Sequence, residues 1–333
     1  MDARPRDGSG PPAASLTEAG IIQALTRPTP DRVDVRLGIG ADGAVLRPAS
    51  GMELVVVTDA LVEGTHFPPG LAAHAIGHRA LAVNLSDLAA MGAVPRWATL
   101  ALSLPAGTAA FVSGFAAGLL DLAAASGVAL VGGDTVAGPL FTVVTAAGEV
   151  PAGSPVGRAG ARPGDIVFVT GTPGDAVQGR LLLATERSDP AATYLRRRFL
   201  YPEARLATGR ALRPLASAML DVSDGLDQDL GRLAMASAVG MELETGALPL
   251  SAELRAVAGD EAWVWALTGG DDYELALTVP AARVADARSL ADATGCRLTE
   301  LGVVVAGEGV RWFTNGRPCA VPAGAWQHFG TAG

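Results

Sequence analysis

WATLALSLPAGTAAFVSGFAAGLLDLAAASGVALVGGD, residues 97–134, decides the fold class of this chain. No charge falls between Trp97 and Leu120, a length that could cross a bilayer. Pro105 and Gly107 divide it, so that WATLALSL reads as a buried strand and TAAFVSGFAAGLLDLAAAS (108–126) as an Ala-rich helix. A strand, a turn and a helix account for the stretch, and no membrane span is expected. VALVGG (128–133) then reads as the next strand.

The alternation continues on both sides. Upstream lie the strand ELVVVT (53–58) and a helix near 72–91, and downstream the strand LFTVVTAAGEV (140–150). Apolar β-branched runs alternating with Ala/Leu-rich stretches make an α/β chain. The Gly/Pro-rich passage PAGSPVGRAGARPGD (151–165) interrupts the series before IVFVTG starts a second one. That second series has helices near 174–186, 203–217 and from 224, the strands AMLDVS and YELALTV (273–279), a helix near 281–294 and a terminal strand cluster. We therefore expect an N-terminal α/β domain at 16–150 and a C-terminal α/β domain at 151–330. Residues 1–15, MDARPRDGSGPPAAS, lack the apolar core of a signal peptide and are expected to be a disordered tail.

At 333 residues the chain suits two medium domains, and 49% hydrophobic residues with 42 glycines give it both a core and many turns. A net charge of -9 argues against nucleic acid as a partner. All 25 basic residues are arginine, which removes the Gly-Lys-Ser/Thr phosphate loop and any Schiff-base lysine. Cys296 and Cys319 are too few for a disulfide framework or a cysteine zinc site, and fit a reduced cytoplasmic compartment.

The chemistry is concentrated in acids beside apolar strands. Asp59 is expected to end LVVVTD and Asp134 to end VALVGGD, while Asp221 and Asp224 close AMLDVSD. Ligands bind at strand ends in α/β proteins. Asp42 sits in the Gly-flanked loop GIGADGAV, and Asp87 in the helical ALAVNLSDLAAMG. Two carboxylates 4 Å apart repel by about 4 kcal/mol at an effective dielectric near 20, so a converging set needs counter-charge. Without lysine, Mg²⁺ is the economical supplier, and it also bridges to phosphates. GGDT (132–135), SDGL (223–226) and GGDDYEL (269–275) let backbone N–H groups approach an anion. Each is also an ordinary turn signal, and each aspartate could be only a helix cap.

GIGADGAV, TDALVEGTHF, ALAVNLSDLAAMGA, VGGDTVAGPL, VTGTPGD, LDVSDGLDQDL and TGGDDYELALTV, in that order, resemble the thiamine-monophosphate kinase family, over nearly the whole chain. The resemblance implies a two-domain aminoimidazole ribonucleotide synthetase-like fold, each domain a mixed sheet packed with helices. It implies ATP as co-substrate, several Mg²⁺ ions, thiamine monophosphate as acceptor and a homodimer. By motif, Asp42, Thr58, Asp59, Asp87, Asp134, Asp221 and Asp224 would be metal ligands. Gly133, Asp134, Arg158 and Ser223 would line the ATP site, and His66, Asp271 and Trp326 would face the thiamine phosphate. The chain departs from the family where Ala41 replaces the loop's first acid, where Val57 replaces a serine, and where Asp271 stands for a common glutamate. One metal is then expected to be held more weakly, or through backbone and water.

Such a kinase needs no enzyme nucleophile, because the acceptor phosphate, with a second pKa of about 6, is already ionised near neutrality. Three other readings stay open. A selenophosphate synthetase or hydrogenase-maturation relative is disfavoured by the lack of an early or a terminal cysteine, and an aminoimidazole ribonucleotide synthetase by GTHF in place of a Gly-Thr-Lys motif. A non-catalytic nucleotide-binding relative would bind ATP without turnover. A metal-dependent phosphohydrolase would transfer to water.

Overall fold

A computed structural model describes residues 16–26, 32–105 and 108–322. The tail expected at 1–15 lies outside the described residues. The N-terminal half runs α1 (Glu18–Leu25), β1 (Val35–Leu37), β2 (Val45–Leu46), β3 (Met52–Val62), α2 (Ala73–Ala90), β4 (Val94–Leu104), α3 (Ala109–Ser126), β5 (Ala129–Ala137) and β6 (Phe141–Pro151). The C-terminal half begins with β7 (Asp165–Thr170), α4 (Asp175–Leu182), α5 (Pro190–Leu200), α6 (Leu206–Leu212), β8 (Ala218–Val222) and α7 (Leu226–Ser237). It continues through β9 (Gly240–Glu244), α8 (Ala252–Ala258), α9 (Ala262–Thr268), β10 (Glu274–Pro280), α10 (Val284–Ala293), β11 (Leu298–Val305), β12 (Gly309–Thr314) and β13 (Arg317–Cys319).

Each half holds a mixed sheet. The first has the order β3-β6-β4-β5, antiparallel except where β4 and β5 run parallel. The second has the order β13-β12-β9-β11-β7-β10-β8, antiparallel except for the parallel pair β12 and β9. α2 and α3 cover one face of the first sheet and close a core of Phe67, Leu81, Leu100, Phe115 and Val144. Each such fully buried side chain contributes about 1.5–3 kcal/mol of transfer free energy. α3 is long and apolar enough to cross a membrane by length and composition, and its Val112, Phe115, Leu119 and Leu120 are buried inside this core.

α2 is buried on nearly every side, polar Arg79, Asn84 and Ser86 included, so it runs through the middle of the protein. Its packing against α3 depends on two glycines. A Cβ on Gly77 would lie 2.0 Å from the Phe115 carbonyl oxygen, and one on Gly118 would lie 1.9 Å from that of His74. The helix backbones therefore touch where any side chain would force them apart. On its other flank α2 enters the second half, where Ala89 and Ala90 join Phe168, Leu212, Met219 and Leu275 in one core.

Two strands run further than the sequence suggests. β3 is paired with β6 along its whole length, with Asp59 opposite Val144, so Asp59 is inside the strand and not at its end. β5 continues to Ala137 with Asp134 opposite Ala101, so Asp134 too lies mid-strand. Continuous ladder bonding to a neighbour outweighs the local turn character of Gly-Gly-Asp.

Candidate active site

β3, α2 and β8 bring a set of acids together. Alternation along β3 turns Asp59 to the face that carries buried Val144, toward α2. The last turn of α2 supplies Ser86 and Asp87. Asp221 lies in the fully buried β8, where its Oδ2 accepts from Ser86 Oγ at 2.7 Å. The turn after β8 is shaped by Asp229 in the first turn of α7, whose Oδ2 accepts from the backbone N–H of Ser223 and of Asp224, both at 3.0 Å. Arg232 reaches both Asp224 and Asp229, and Gln228 donates to Asp224 Oδ2 at 3.2 Å.

Burial drives these carboxyls toward the neutral form. Asp87 is pushed up to about 8, first by burial and then by the charges of Asp221 and Asp59, with which it also shares a hydrogen bond; Arg158 opposes the rise. Asp221 is raised to about 6 by burial and by Asp229 and Asp59, against the Ser86 hydrogen bond and the charge of Arg158. Asp59 is raised as well, by burial foremost. Such a set is short of positive charge. Among the described residues no three Asp, Glu, His or Cys side chains stand close enough to hold an ion by themselves. The donor chemistry nonetheless fits Mg²⁺, a hard cation that takes one or two carboxylates and completes its shell with water and phosphate oxygens.

Two cavities of about 470 Å³ meet at these acids. The first is lined by Asp59, Asp87, Asp221, Ser223 and Asp224 on one side and by His66, Arg180, Asp271 and Tyr273 on the other. The second is lined by Val57, Met91, Arg158 and Met219, again with Asp87 and Asp221. A larger cavity of about 870 Å³ between α1, α3 and the segment after β2 touches none of this set of acids. Its floor is mostly apolar, and Arg32 and Arg96 there are paired with Asp34 and Glu149. Size alone does not make it the site of chemistry.

The loop 269–273 closes the first cavity. Its N–H groups at Asp271 and Tyr273 donate to the Ser223 and Val222 carbonyls, each at 2.8 Å. A Cβ on Gly270 would lie 2.4 Å from the Ser223 carbonyl oxygen, which explains the glycine of GGDDYEL by close approach to β8. On the opposite wall His66 Nδ1 accepts from the Val62 N–H at 3.0 Å, which fixes the ring at the end of β3.

The structure thus gathers Asp59, Asp87, Asp221, Ser223, Asp224, His66 and Asp271 around one cavity and Arg158 around its neighbour. Thr58 lines the cavity, but its hydroxyl is turned to β6, 3.2 Å from the Val144 carbonyl oxygen and 3.1 Å from Thr145 Oγ1. Asp42 is exposed in the loop between β1 and β2. Gly133 and Asp134 are exposed on the edge strand β5, where Asp134 Oδ1 accepts from the Thr135 N–H at 2.9 Å. None of these last three lines either cavity. Trp326 lies outside the described residues. Sequence reasoning passed over Ser86, Arg79, Arg180 and Tyr273. Ser86 directly precedes Asp87, and Arg79 is the one basic charge in an Ala/Leu-rich helix, so both carried a signal; Arg180 carried none.

The AIR synthase related protein N-terminal domain matches residues 40–150, and the AIR synthase related protein C-terminal domain matches residues 162–314. Fold and acid cluster together define a two-domain protein of this class. Thiamine-monophosphate kinase of Escherichia coli (strain K12) is 41% identical over 319 residues, covering 93% of this chain and 97% of that protein. The crystal structure of thiamine-monophosphate kinase from Stenotrophomonas maltophilia K279a is 43% identical with a TM-score of 0.82, over 90% of this chain and 95% of that one. AaThiL, complexed with AMPPCP and TMP, is 35% identical with a TM-score of 0.75, over 85% of this chain and 89% of that one. The chain belongs to the thiamine-monophosphate kinase family.

Proposed function

We propose that the chain phosphorylates thiamine monophosphate to thiamine diphosphate, with ATP as donor and by direct in-line transfer. One observation carries the reading: Asp87 and Asp221 line both cavities, so two phosphorylated ligands, one in each, would meet at the same carboxylates. The relative that binds AMPPCP and TMP together supports a paired occupancy of this kind.

The nucleotide is assigned to the cavity of Arg158, with Ser223 at the junction, and the acceptor to the cavity of His66 and Asp271. Asp59, Asp87, Asp221 and Asp224 are the proposed Mg²⁺ ligands, with the Thr58 strand beside them. Asp42, Gly133 and Asp134 are proposed to meet the far part of the nucleotide and its metals from the β1–β2 loop and β5. When bound, Mg²⁺ supplies the charge neutralisation that lets two anions approach. The chain's residues hold the reactants in line, while Ser86 and Arg158 favour the ionised form of Asp221 and the Ser86 hydroxyl orients it. Asp271 and Arg180 stand on the acceptor's side, where Arg180 Nη2 donates to the Thr65 carbonyl oxygen at 3.1 Å and joins α4 to the loop after β3.

Residues 16–150 and 151–330 are proposed as the two domains, the first of them dimerising. The face of the first sheet away from α2 exposes Leu54, Val56 and Val62 on the edge strand β3 and Val136 on β5. A long edge strand with exposed apolar side chains calls for a cover, and a second copy of the chain provides one. A reduced, cytoplasmic setting suits two free cysteines.

Phosphorus NMR of the purified protein with ATP and Mg²⁺ tests the reading, with thiamine monophosphate, thiamine or water as sole acceptor. A thiamine diphosphate signal with the monophosphate alone is expected. Free phosphate in water alone would replace the kinase with a hydrolase, and bound ATP without product would leave a binding protein.

A further inference from the structure

The only arginine of α2 is Arg79, and its side chain is fully buried. Its Nη2 pairs with Asp271 Oδ1 at 2.5 Å, its Nη1 donates to the Phe199 carbonyl oxygen, and its guanidinium lies 4.1 Å from the centre of the Phe199 ring. Tyr273 O–H donates to the same Asp271 Oδ1 at 3.0 Å. Both donors thus hold one oxygen of Asp271. The other, Oδ2, belongs to a side chain that lines the first cavity and remains 20% exposed.

The backbone bears a cost for this arrangement. Asp271 and Tyr273 have φ of +68° and +54°, a region that non-glycine residues avoid. Strain of about 1 kcal/mol or more per residue persists only where the surroundings impose it, and it clusters at ligand sites. A buried ion pair is a weak device for stability, since apolar replacements often do as well. Fixing one carboxylate oxygen while leaving its twin to the cavity is what this pair does that packing could not.

Resting on the kinase reading, we propose that Arg79 is a positioning residue for recognition of the acceptor's ring portion. A carboxylate repels a phosphate, so Asp271 Oδ2 faces a cationic ring or an amino N–H donor, not the phosphate that reacts. Arg79 and Tyr273 set its direction, and so set which end of the acceptor lies at Asp59 and Asp87. Because Arg79 reaches Asp271 and Phe199 from α2, the recognition loop is held in register with the helix that carries Asp87.

The test uses Arg79→Met and Asp271→Asn, singly and combined, and Tyr273→Phe, each checked for folding by circular dichroism and thermal melting. In both Arg79→Met and Asp271→Asn the KM for thiamine monophosphate is expected to rise about tenfold, with kcat and the KM for ATP within about twofold. The double variant should be no worse than the worse single one, because one residue acts through the other. An unchanged acceptor KM in folded Arg79→Met, equal rises in both KM values, or multiplied effects in the double variant would overturn the proposal. If Arg79→Met does not fold, Tyr273→Phe decides: a rise of about threefold in the acceptor KM alone supports it, and no rise overturns it. Wild-type protein that forms no thiamine diphosphate would instead overturn the kinase reading, and is assayed first.

Discussion

Ser86 Oγ donates to Asp221 Oδ2 at 2.7 Å, joining the last turn of α2 to the C-terminal end of β8 across 135 positions of sequence. The bond links the helix of one half to the sheet of the other at the point where both cavities meet. It also favours the ionised form of a carboxyl that burial would neutralise.

Ser86→Ala leaves Asp221 without that donor while keeping helix and volume nearly intact. We expect kcat/KM to fall about tenfold, which corresponds to one hydrogen bond to a charged group. Steady-state kinetics at saturating Mg²⁺ checks it. An unaltered value would mean that the Asp221 charge is set elsewhere.

Asp87→Asn removes a carboxyl pushed up to about 8 by burial and by the charges of Asp221 and Asp59. Turnover is expected to drop about a hundredfold or more, as for loss of a charge that binds only with the metal-bridged reactants. The same variant should melt higher than wild type at pH 8 without divalent ions, since a strained charge is gone. Reduced activity with a lower melting temperature would point to simple misfolding.

Mg²⁺ should stabilise the protein more in alkali than in acid. Asp87 titrates near 8 in the folded protein and near 3.8 as an ordinary aspartate, so the folded state holds the extra proton between those values. Its contribution to stability is complete below the lower value and is lost as pH rises through the upper one. Metal must displace that proton, so binding strengthens over the same range. Melting temperatures with and without Mg²⁺ at pH 6 and pH 8.5 should show the larger shift at pH 8.5, and equal shifts would contradict the assignment.

Val56→Lys places a charge at a side chain that is 62% exposed on the open face of the first sheet. In a monomer that change would be neutral. In the proposed dimer it should halve the mass seen by light scattering, and a mass already equal to one chain in wild type would remove the dimer.

The alternation of elements was legible because buried strands and Ala-rich helices differ in period, and α2, β4, α3 and β6 were read within a few residues. α5, α8 and α9 were not singled out. The α5 segment, PAATYLRRRFL, hides three apolar core contacts among arginines, and its start rests on Asp189 accepting from the Ala192 N–H at 3.1 Å. Of the site, the acids beside β8 and at the end of α2 could be read from position. Asp59 and Asp134 could not be separated: both follow apolar runs, and only the sheet order shows that one faces α2 while the other sits on a far edge strand. Arg79 meets Asp271 across 192 positions of sequence, a pairing that no local pattern carries, whereas Tyr273 reaches the same carboxylate from two residues away.

A helix shared by two cores has a consequence for cutting the chain. The passage from Ala152 to Gly164 crosses between the sheets with an exposed start at Ala152 and Gly153, open to a protease. Cleavage there would leave α2 wedged against Phe168, Leu212 and Met219, so the two fragments should stay bound and migrate as one particle until denaturant parts them. Expressed alone, the C-terminal fragment would expose the groove that α2 fills and would precipitate, whereas the two pieces mixed during refolding should reconstitute one another.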